Sequence, residues 1–416
     1  MPSERFQLKK ILFVTAVPET ASAFLSGYLN TLADEYDVHF ATSLSGHTSV
    51  DKVSTKVTLH DIEIARKPSI AKDILSLFHL WKLIRKEQFD VVHSVTPKAG
   101  LVTQLAAFLA RIPNRFHTFT GQVWATKTGI KRTLLKWLDK LSASLTTACL
   151  ADSPSQRQFI LENGITTDSK CTVLAKGSIS GVNLEKFQHN QNARHQLRDN
   201  LGINKNTFVF LFVGRLNREK GIPELLTAFR RLTAKRPIKL LFIGADEEGF
   251  SEEINQQSGM EFLGFQRNIN DFYSMADCLV LPSHREGFGN VIIEAAACKL
   301  PAIASNIYGL SDAIEDNYSG LLHPVKNVEA LAQLMQRLID SPTLANTLSE
   351  QAYQRVVTDF DEKHLINAFI AYYQAQLGLT SSISHNGNPN DKDNGLTPNS
   401  PTTEENESRD TNEKIV

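Results

Sequence analysis

Short apolar, β-branched or aromatic runs alternate along the chain with longer stretches whose apolar residues recur at helical spacing. In the first half the runs Lys10–Thr15, Asp37–Thr42, Val91–Ser94, Arg115–Thr118 and Leu145–Leu150 predict strands. Between them, Ala23–Glu35, Ala71–Glu87, Ala99–Leu109, Lys131–Leu141 and Ser153–Glu162 predict helices. The second half repeats the pattern. Strands are predicted at Phe208–Val213, Ile238–Ile243, Met260–Leu263, Cys278–Leu281 and Pro301–Ala304, with Leu321–His323 near the sheet. Helices are predicted at Gly221–Leu232, Ile269–Met275, Gly289–Ala297, Val328–Ile339, Ala345–Thr358 and Glu362–Leu377. Such alternation implies parallel sheets joined by crossover helices. The polar, irregular stretch Gly177–Asn206 separates the halves and marks the domain boundary. The expected fold class is therefore α/β, with two Rossmann-like parallel-sheet domains facing a cleft. The expected division is 1–180, 181–360, a last helix at 361–378 packing back on the first domain, and a tail at 379–416.

Composition adds bounds. The 416 residues fit two domains, and 42% apolar content is enough to bury two cores. The tail holds seven acids and three bases, so the overall charge of −1 leaves the remainder near +3. It lacks bulky apolar residues and is expected to be disordered. No basic bulk points to nucleic acid. The four cysteines are scattered, with no C-x-x-C, and read as buried free thiols. No stretch approaches the roughly 20 apolar residues of a membrane-spanning helix. The protein is expected to be soluble or peripheral to a membrane.

The unusual residues sit where strands end, which is where ligands of open α/β sheets bind. After the strand Leu279–Leu281 comes R-E-G-F-G-N-V-I-I-E-A-A, residues 285–296. Its glycines allow a tight turn and a close approach to a ligand. The helix that opens near Gly289 or Asn290 presents unpaired N–H groups, a seat for phosphate or sugar oxygens. Glu286 precedes that helix and Glu294 lies one turn into it. Eight residues apart, they fit a ligand with hydroxyls at both ends of a diphosphate. After the strand Phe208–Val213, Gly214 allows a sharp exit and Arg215 offers a planar fork for phosphate. Lys220 stands at a helix start, where a cation opposes the helix dipole unless an anion relieves it. The alternative for Lys220 is a surface salt bridge to Glu219 or Glu224.

G-R-L-x-x-x-K-G together with E-G-F-G-N-x-x-x-E-A-x-A resembles the retaining glycosyltransferases of family 4, which have the two-Rossmann GT-B fold. The resemblance covers about residues 8–378. It implies that Arg215 and Lys220 hold a donor diphosphate and that Glu286 meets donor-sugar hydroxyls. It implies further that backbone amides at Phe288-Gly289-Asn290 meet sugar and phosphate, and that Glu294 binds ribose. The base is then expected near Gly244 and the Gly264-Phe265-Gln266-Arg267 loop. The donor-binding set is thus Gly214, Arg215, Lys220, Phe265, Glu286, Gly287, Phe288, Gly289, Asn290 and Glu294. Arg215, Lys220 and Glu286 carry the catalytic burden.

In the first half, His93-Ser94-Val95-Thr96-Pro97-Lys98-Ala99-Gly100 is similar to an H-x-x-x-P-K-A-G stretch of bacterial members that build O-antigen, capsule or lipid-linked oligosaccharides. Gly177-Ser178-Ile179-Ser180-Gly181-Val182-Asn183 matches their interdomain segment. Many members carry T-x-H-G after the fourth strand, where this chain has Thr118-Phe119-Thr120-Gly121, so Thr120 stands in place of the histidine. His117, in the strand itself, reads as a core residue. Lys98, Thr120 and Lys127 are the acceptor-side candidates, although Lys98 either meets an anion or faces solvent. From Gln122 to Leu141 basic and apolar residues interleave, with Trp124 and Trp137 near the ends. This is either a membrane-surface element or a helix packed on the sheet.

The resemblance implies a retaining hexosyltransferase that moves an N-acetylhexosamine or related sugar from a UDP-sugar to a polyprenyl-diphosphate-linked saccharide. The UDP-sugar is a substrate and no cofactor is expected. With no Asp-x-Asp at a suitable strand end, no metal is expected either. The implied location is cytoplasmic, peripheral on the anionic inner face of the bacterial cytoplasmic membrane, with no nucleic-acid partner. A UDP-sugar 2-epimerase of the same fold and a non-catalytic saccharide-binding protein are the alternatives.

Overall fold

The computed structural model describes residues 8–45, 49–65 and 69–378. The expected tail at 379–416 lies outside the described residues. Two parallel sheets organise the rest. The first has seven strands: β1 (Lys10–Val14), β2 (Asp37–Thr42), β3 (Thr58–Asp61), β4 (Val91–Val95), β5 (Asn114–Phe119), β6 (Ala148–Ala151) and β7 (Cys171–Val173), in the spatial order β3-β2-β1-β4-β5-β6-β7. The second has six: β8 (Phe208–Val213), β9 (Ile238–Ile243), β10 (Met260–Phe262), β11 (Cys278–Leu281), β12 (Ala302–Ser305) and β13 (Leu321–His323), in the order β10-β9-β8-β11-β12-β13. In both, the strand order reverses beside the first strand, between β1 and β4 and between β8 and β11. Loops leaving those strands diverge and open a crevice. The central strands are buried on both faces, so they read as unbroken apolar runs such as Phe208–Val213.

Several expectations need correction. β3 and β7 have no counterpart among the expected strands. Both are short edge strands with partly exposed residues, which carry a weak pattern. The strand predicted at Leu145–Leu150 is present as β6 but starts three residues later, because the preceding helix, Gly129–Leu145, runs on to Leu145. The first helix begins at Pro18 and is interrupted by a π-turn at Ala21–Leu25 before continuing through Ser26–Leu32. Gly177–Asn206 is not irregular throughout, since Gln191–Asn200 is a helix capped by the Asn190 side chain. This helix has only a short apolar stripe, Ala193 and Leu197 leading to Leu201, and arginines add to its hold. Arg194 donates to the carbonyls of Ser274, Met275 and Ala276, at the end of helix Ile269–Met275, and to Asp277 at 2.6 Å. Arg198 is buried, donating to the Met275 and Thr207 carbonyls. Cations at a helix carboxyl end satisfy its orphan carbonyls and complement its dipole.

The chain crosses between the sheets twice, and the two crossings pair. Val182 N–H donates to the Phe360 carbonyl at 2.8 Å, and Glu362 N–H to the Val182 carbonyl at 2.9 Å. The helix Glu362–Gln376 then packs on the first sheet. Phe369 stacks on Tyr28 with ring centroids 4.2 Å apart, and Tyr373 Oη hydrogen-bonds His93 Nδ1 at 2.5 Å. His93 bonds Thr118 through its other nitrogen, and His117 bonds Ser94. Burial lowers the pKa of both imidazoles, to about 3 and about 4, so each is a neutral core group.

Candidate active site

The loop after β11 brings the two domains together. Pro282 and Ser283 end the strand, and Gly289, at φ +88°, caps the helix Asn290–Ala297. Glu286 is ion-paired with Lys220, whose turn leaves the neighbouring strand β8. This partner is neither Glu219 nor Glu224, the two surface candidates. The pairing depends on Gly221. At φ +74°, its α-carbon faces the Pro282 carbonyl so closely that a β-carbon would overlap the oxygen. Gly287 passes equally close to the first domain, where an added β-carbon would lie 2.5 Å from Asp152 Oδ2 and 2.8 Å from the Thr120 carbonyl carbon.

Phe288 is buried and packs edge-on against Phe360 at 5.1 Å, so its ring pins the loop. The Asn290 side chain is occupied by the interdomain segment. Its oxygen accepts from Ser178 Oγ at 3.0 Å, and its amide donates to Ser180 Oγ at 3.2 Å. One turn later, Glu294 accepts a 2.9 Å bond from Tyr273 Oη. Burial raises its pKa, opposed by that bond and by the charges of Lys186 and Lys52.

These groups line one cavity of about 760 Å³ between the domains. It holds Gly214, Lys220, Glu286, Gly287, Gly289 and Glu294 from the expected donor set, along with Phe288, Asn290 and Phe265. Phe265 is 77% exposed, a free aromatic face at one end. Thr120 enters from the first domain. The remaining expected residues lie elsewhere. Arg215 is ion-paired with Glu247 at 2.8 Å and lines a smaller adjoining pocket of about 140 Å³ with Lys220 and Arg285. Lys98 pairs with Asp73 at 2.9 Å. Lys127 reaches across the cleft to Glu219, which also accepts from Thr126 at 2.9 Å and pairs with Arg285 at 3.2 Å. Burial alone would push the Glu219 pKa up, but bonds from Lys127 and Thr126 and the Arg285 charge hold it at about 2.

The cavity also contains residues that the sequence reading passed over. Asp152 directly follows β6, and burial followed by the charge of Glu286 raises its pKa to about 7. Its position at a strand's carboxyl end was the available signal, obscured by the helix start that follows at Pro154. Ser22, Ala23 and Phe24 reach the cavity from the π-turn, and such turns recur at functional sites. Trp124 corrects another expectation. It is fully buried, donates to Asp139 at 2.8 Å and stacks on Phe159, so it is not a surface anchor. Ile130, Leu134 and Trp137 are exposed on the helix that follows, beside exposed Lys131, Arg132 and Lys140. No described helix is long and apolar enough to cross a membrane.

Two family profiles match the chain: "Glycosyl transferases group 1" over residues 193–355 and "Glycosyl transferase 4-like domain" over residues 23–177. The chain is 33% identical over 314 residues to the capsular polysaccharide biosynthesis glycosyltransferase CapM of Staphylococcus aureus, across 73% of this chain and 81% of that one. It is 28% identical to the UDP-Gal:alpha-D-GlcNAc-diphosphoundecaprenol alpha-1,3-galactosyltransferase of Escherichia coli, across 72% and 78%. The fold is similar to that of sucrose-phosphate synthase from Thermosynechococcus elongatus, with a TM-score of 0.75 at 21% identity, across 89% of this chain and 100% of that one.

Proposed function

The chain belongs to the group 1 glycosyltransferases of the family 4 type, with the GT-B fold, and from that premise we propose that it moves a sugar from a UDP-sugar to a polyprenyl-diphosphate-linked saccharide with retention at the anomeric carbon. It is a glycosyltransferase of capsule and lipid-linked polysaccharide synthesis. The observation that carries the finer reading is the Lys220–Glu286 pair, with Glu294 one turn on, in a single interdomain cavity at the strand ends. UDP is favoured because the E. coli relative is named for a UDP-sugar donor.

In this reading the diphosphate takes Lys220 from Glu286, and the freed carboxylate accepts hydrogen bonds from hydroxyls of the transferred sugar. Glu294 takes the ribose hydroxyls and Phe265 offers a face to the base. As the bond from the anomeric carbon to the phosphate oxygen breaks, negative charge grows on UDP. The Lys220 ammonium then stabilises the transition state more than the ground state. The acceptor oxygen bonds to the anomeric carbon from the side the leaving group departs, and its proton passes to a phosphate oxygen. Arg215 joins the diphosphate by releasing Glu247. The charge is met by the chain's own cations, so no metal is required.

The acceptor's lipid places the reaction at a membrane surface. Exposed Ile130 (88%), Leu134 and Trp137, together with Ile70 (82%), Ile74 and Phe78 on helix Ile70–Glu87, supply apolar contacts. Exposed Lys131, Arg132 and Lys140 supply positive charge toward anionic lipid. Incubation with labelled UDP-sugars and an undecaprenyl-diphosphate-linked saccharide tests the reading. A glycosylated lipid product of retained configuration is expected. Absence of both transfer and UDP binding across the panel would overturn it.

A further inference from the structure

We propose that Asp152 is a further substrate-contacting residue of the transfer, its carboxyl meeting a hydroxyl of the sugar being moved. This rests on the reading of the Glu286 cavity as the donor-sugar site.

The main chain of Asp152 is held from both sides. Its N–H donates to Gln156 Oε1 at 2.6 Å, and its carbonyl accepts from Ser178 N–H at 2.7 Å. With the backbone pinned, the side chain points from the end of β6 toward the loop of the other domain, Oδ2 lying against Gly287. Asp152 is 7% exposed and lines the interdomain cavity. Its Oδ1 is buried and has no hydrogen-bond partner. A buried carboxyl oxygen left unpaired costs free energy until a partner arrives.

The structural duties such an aspartate commonly serves are filled by others. Ser153, the next residue, caps the helix Pro154–Glu162 by accepting from Gln156 N–H. Lys220, a cation in the same cavity, is ion-paired with Glu286. Among the residues that the first sheet and its loops contribute to the cavity, Asp152 is the buried ionisable group. Thr120 beside it has no titratable side chain, and Lys52 is exposed.

Position selects which substrate it meets. Asp152 lies against Gly287 and close enough to Glu286 to feel its charge, so it faces the group that Glu286 holds, which in this reading is the transferred sugar. A carboxyl in its protonated form donates through its O–H and accepts through its carbonyl oxygen, which matches the two hydrogen-bonding roles of a sugar hydroxyl. Burial and the neighbouring Glu286 charge both favour that form. Asp152 makes and breaks no covalent bond in this role. It fixes the sugar and discriminates among sugars.

Calorimetric titration of the full chain with UDP and with intact UDP-sugars separates the possibilities. Asp152→Ala is expected to weaken binding of the preferred UDP-sugar by about tenfold or more while UDP affinity stays within about twofold, because UDP lacks the hydroxyl. Asp152→Asn, isosteric and uncharged, guards against a folding failure. It is expected to change the affinity ratio for UDP-sugars epimeric at one carbon by about fivefold, with an unchanged melting temperature. Equal losses for UDP and UDP-sugar in the alanine variant, no loss in either, or an unchanged ratio in the asparagine variant would overturn the assignment. Wild-type protein that binds neither UDP nor any UDP-sugar would remove the underlying reading, and the inference with it.

Discussion

Lys220 and Glu286 leave neighbouring strands of one sheet, β8 and β11, and neutralise each other at the wall of the interdomain cavity. Neither has a net charge to offer until the other is drawn away. In the proposed function a diphosphate competes for the lysine and a sugar hydroxyl then takes the freed carboxylate, which would couple the two ends of the donor through one ion pair.

That coupling separates two variants. Lys220→Ala is expected to lower turnover by about 100-fold or more and to weaken UDP binding, since a charge that stabilises the leaving group is gone. Glu286→Gln is expected to slow transfer but to bind UDP at least as tightly as the wild type, because Lys220 no longer has a competing anion. Steady-state kinetics and UDP titration check both. Weakened UDP binding in Glu286→Gln would contradict competition between carboxylate and diphosphate.

Gly221 is a second point of leverage, away from the substrate. Its positive φ and its contact with Pro282 leave no room for a side chain. Gly221→Ala is expected to cost about 2 kcal/mol or more of stability, from backbone strain and displacement of the β11 loop. A thermal melt within one degree of the wild type would show that the two loops tolerate separation.

The clasp of Glu219 with Lys127, Thr126 and Arg285 predicts an acid sensitivity. The folded-state pKa of Glu219 is held at about 2, below its usual value of 4.5. Its contribution to stability is therefore present above about 4.5 and is lost as pH falls from there through about 2. Glu219→Gln should flatten that part of the stability–pH curve, and chemical unfolding at several pH values measures it.

The two tryptophans that flank the basic stretch should behave in opposite ways. Trp124→Phe removes the donor to buried Asp139 and is expected to cost about 1–3 kcal/mol, with no specific effect on lipid binding. Trp137→Ala combined with Ile130→Ala should leave the melting temperature within a degree or two, yet reduce partition onto phosphatidylglycerol vesicles several-fold. Unfolding and vesicle co-sedimentation distinguish the outcomes. Unchanged vesicle binding in the double variant would remove this face from the membrane.

Glu294 is the remaining test of ligand orientation. Glu294→Ala leaves the Tyr273 hydroxyl without its partner and removes the proposed ribose contact. UDP affinity is expected to fall by about tenfold, whereas the affinity for inorganic diphosphate stays unchanged. Equal losses for both would place Glu294 in a structural role.

Local pattern determined a great deal of this protein. Short β-branched and aromatic apolar runs, such as Phe208–Val213 and Cys278–Leu281, fit interior parallel strands, and their alternation with helices pointed to two α/β domains. Gly214, Lys220, Glu286 and Glu294 were legible because each lies at a fixed offset from such a strand, in residue types that core packing does not require. Pairing across distance was not legible. The helix Gln191–Asn200 has only a short apolar stripe, and the contacts of Arg194 and Arg198 with carbonyls some 80 residues away could not be read from it, while the edge strands β3 and β7 depend on a sheet already formed. The partner of Lys220 and the burial of Trp124 were settled only when distant segments met. The seat of Asp152 beneath Gly287 belongs with them, because hydrogen bonds and desolvation act through space, and sequence spacing reports only what lies within a turn or along a strand.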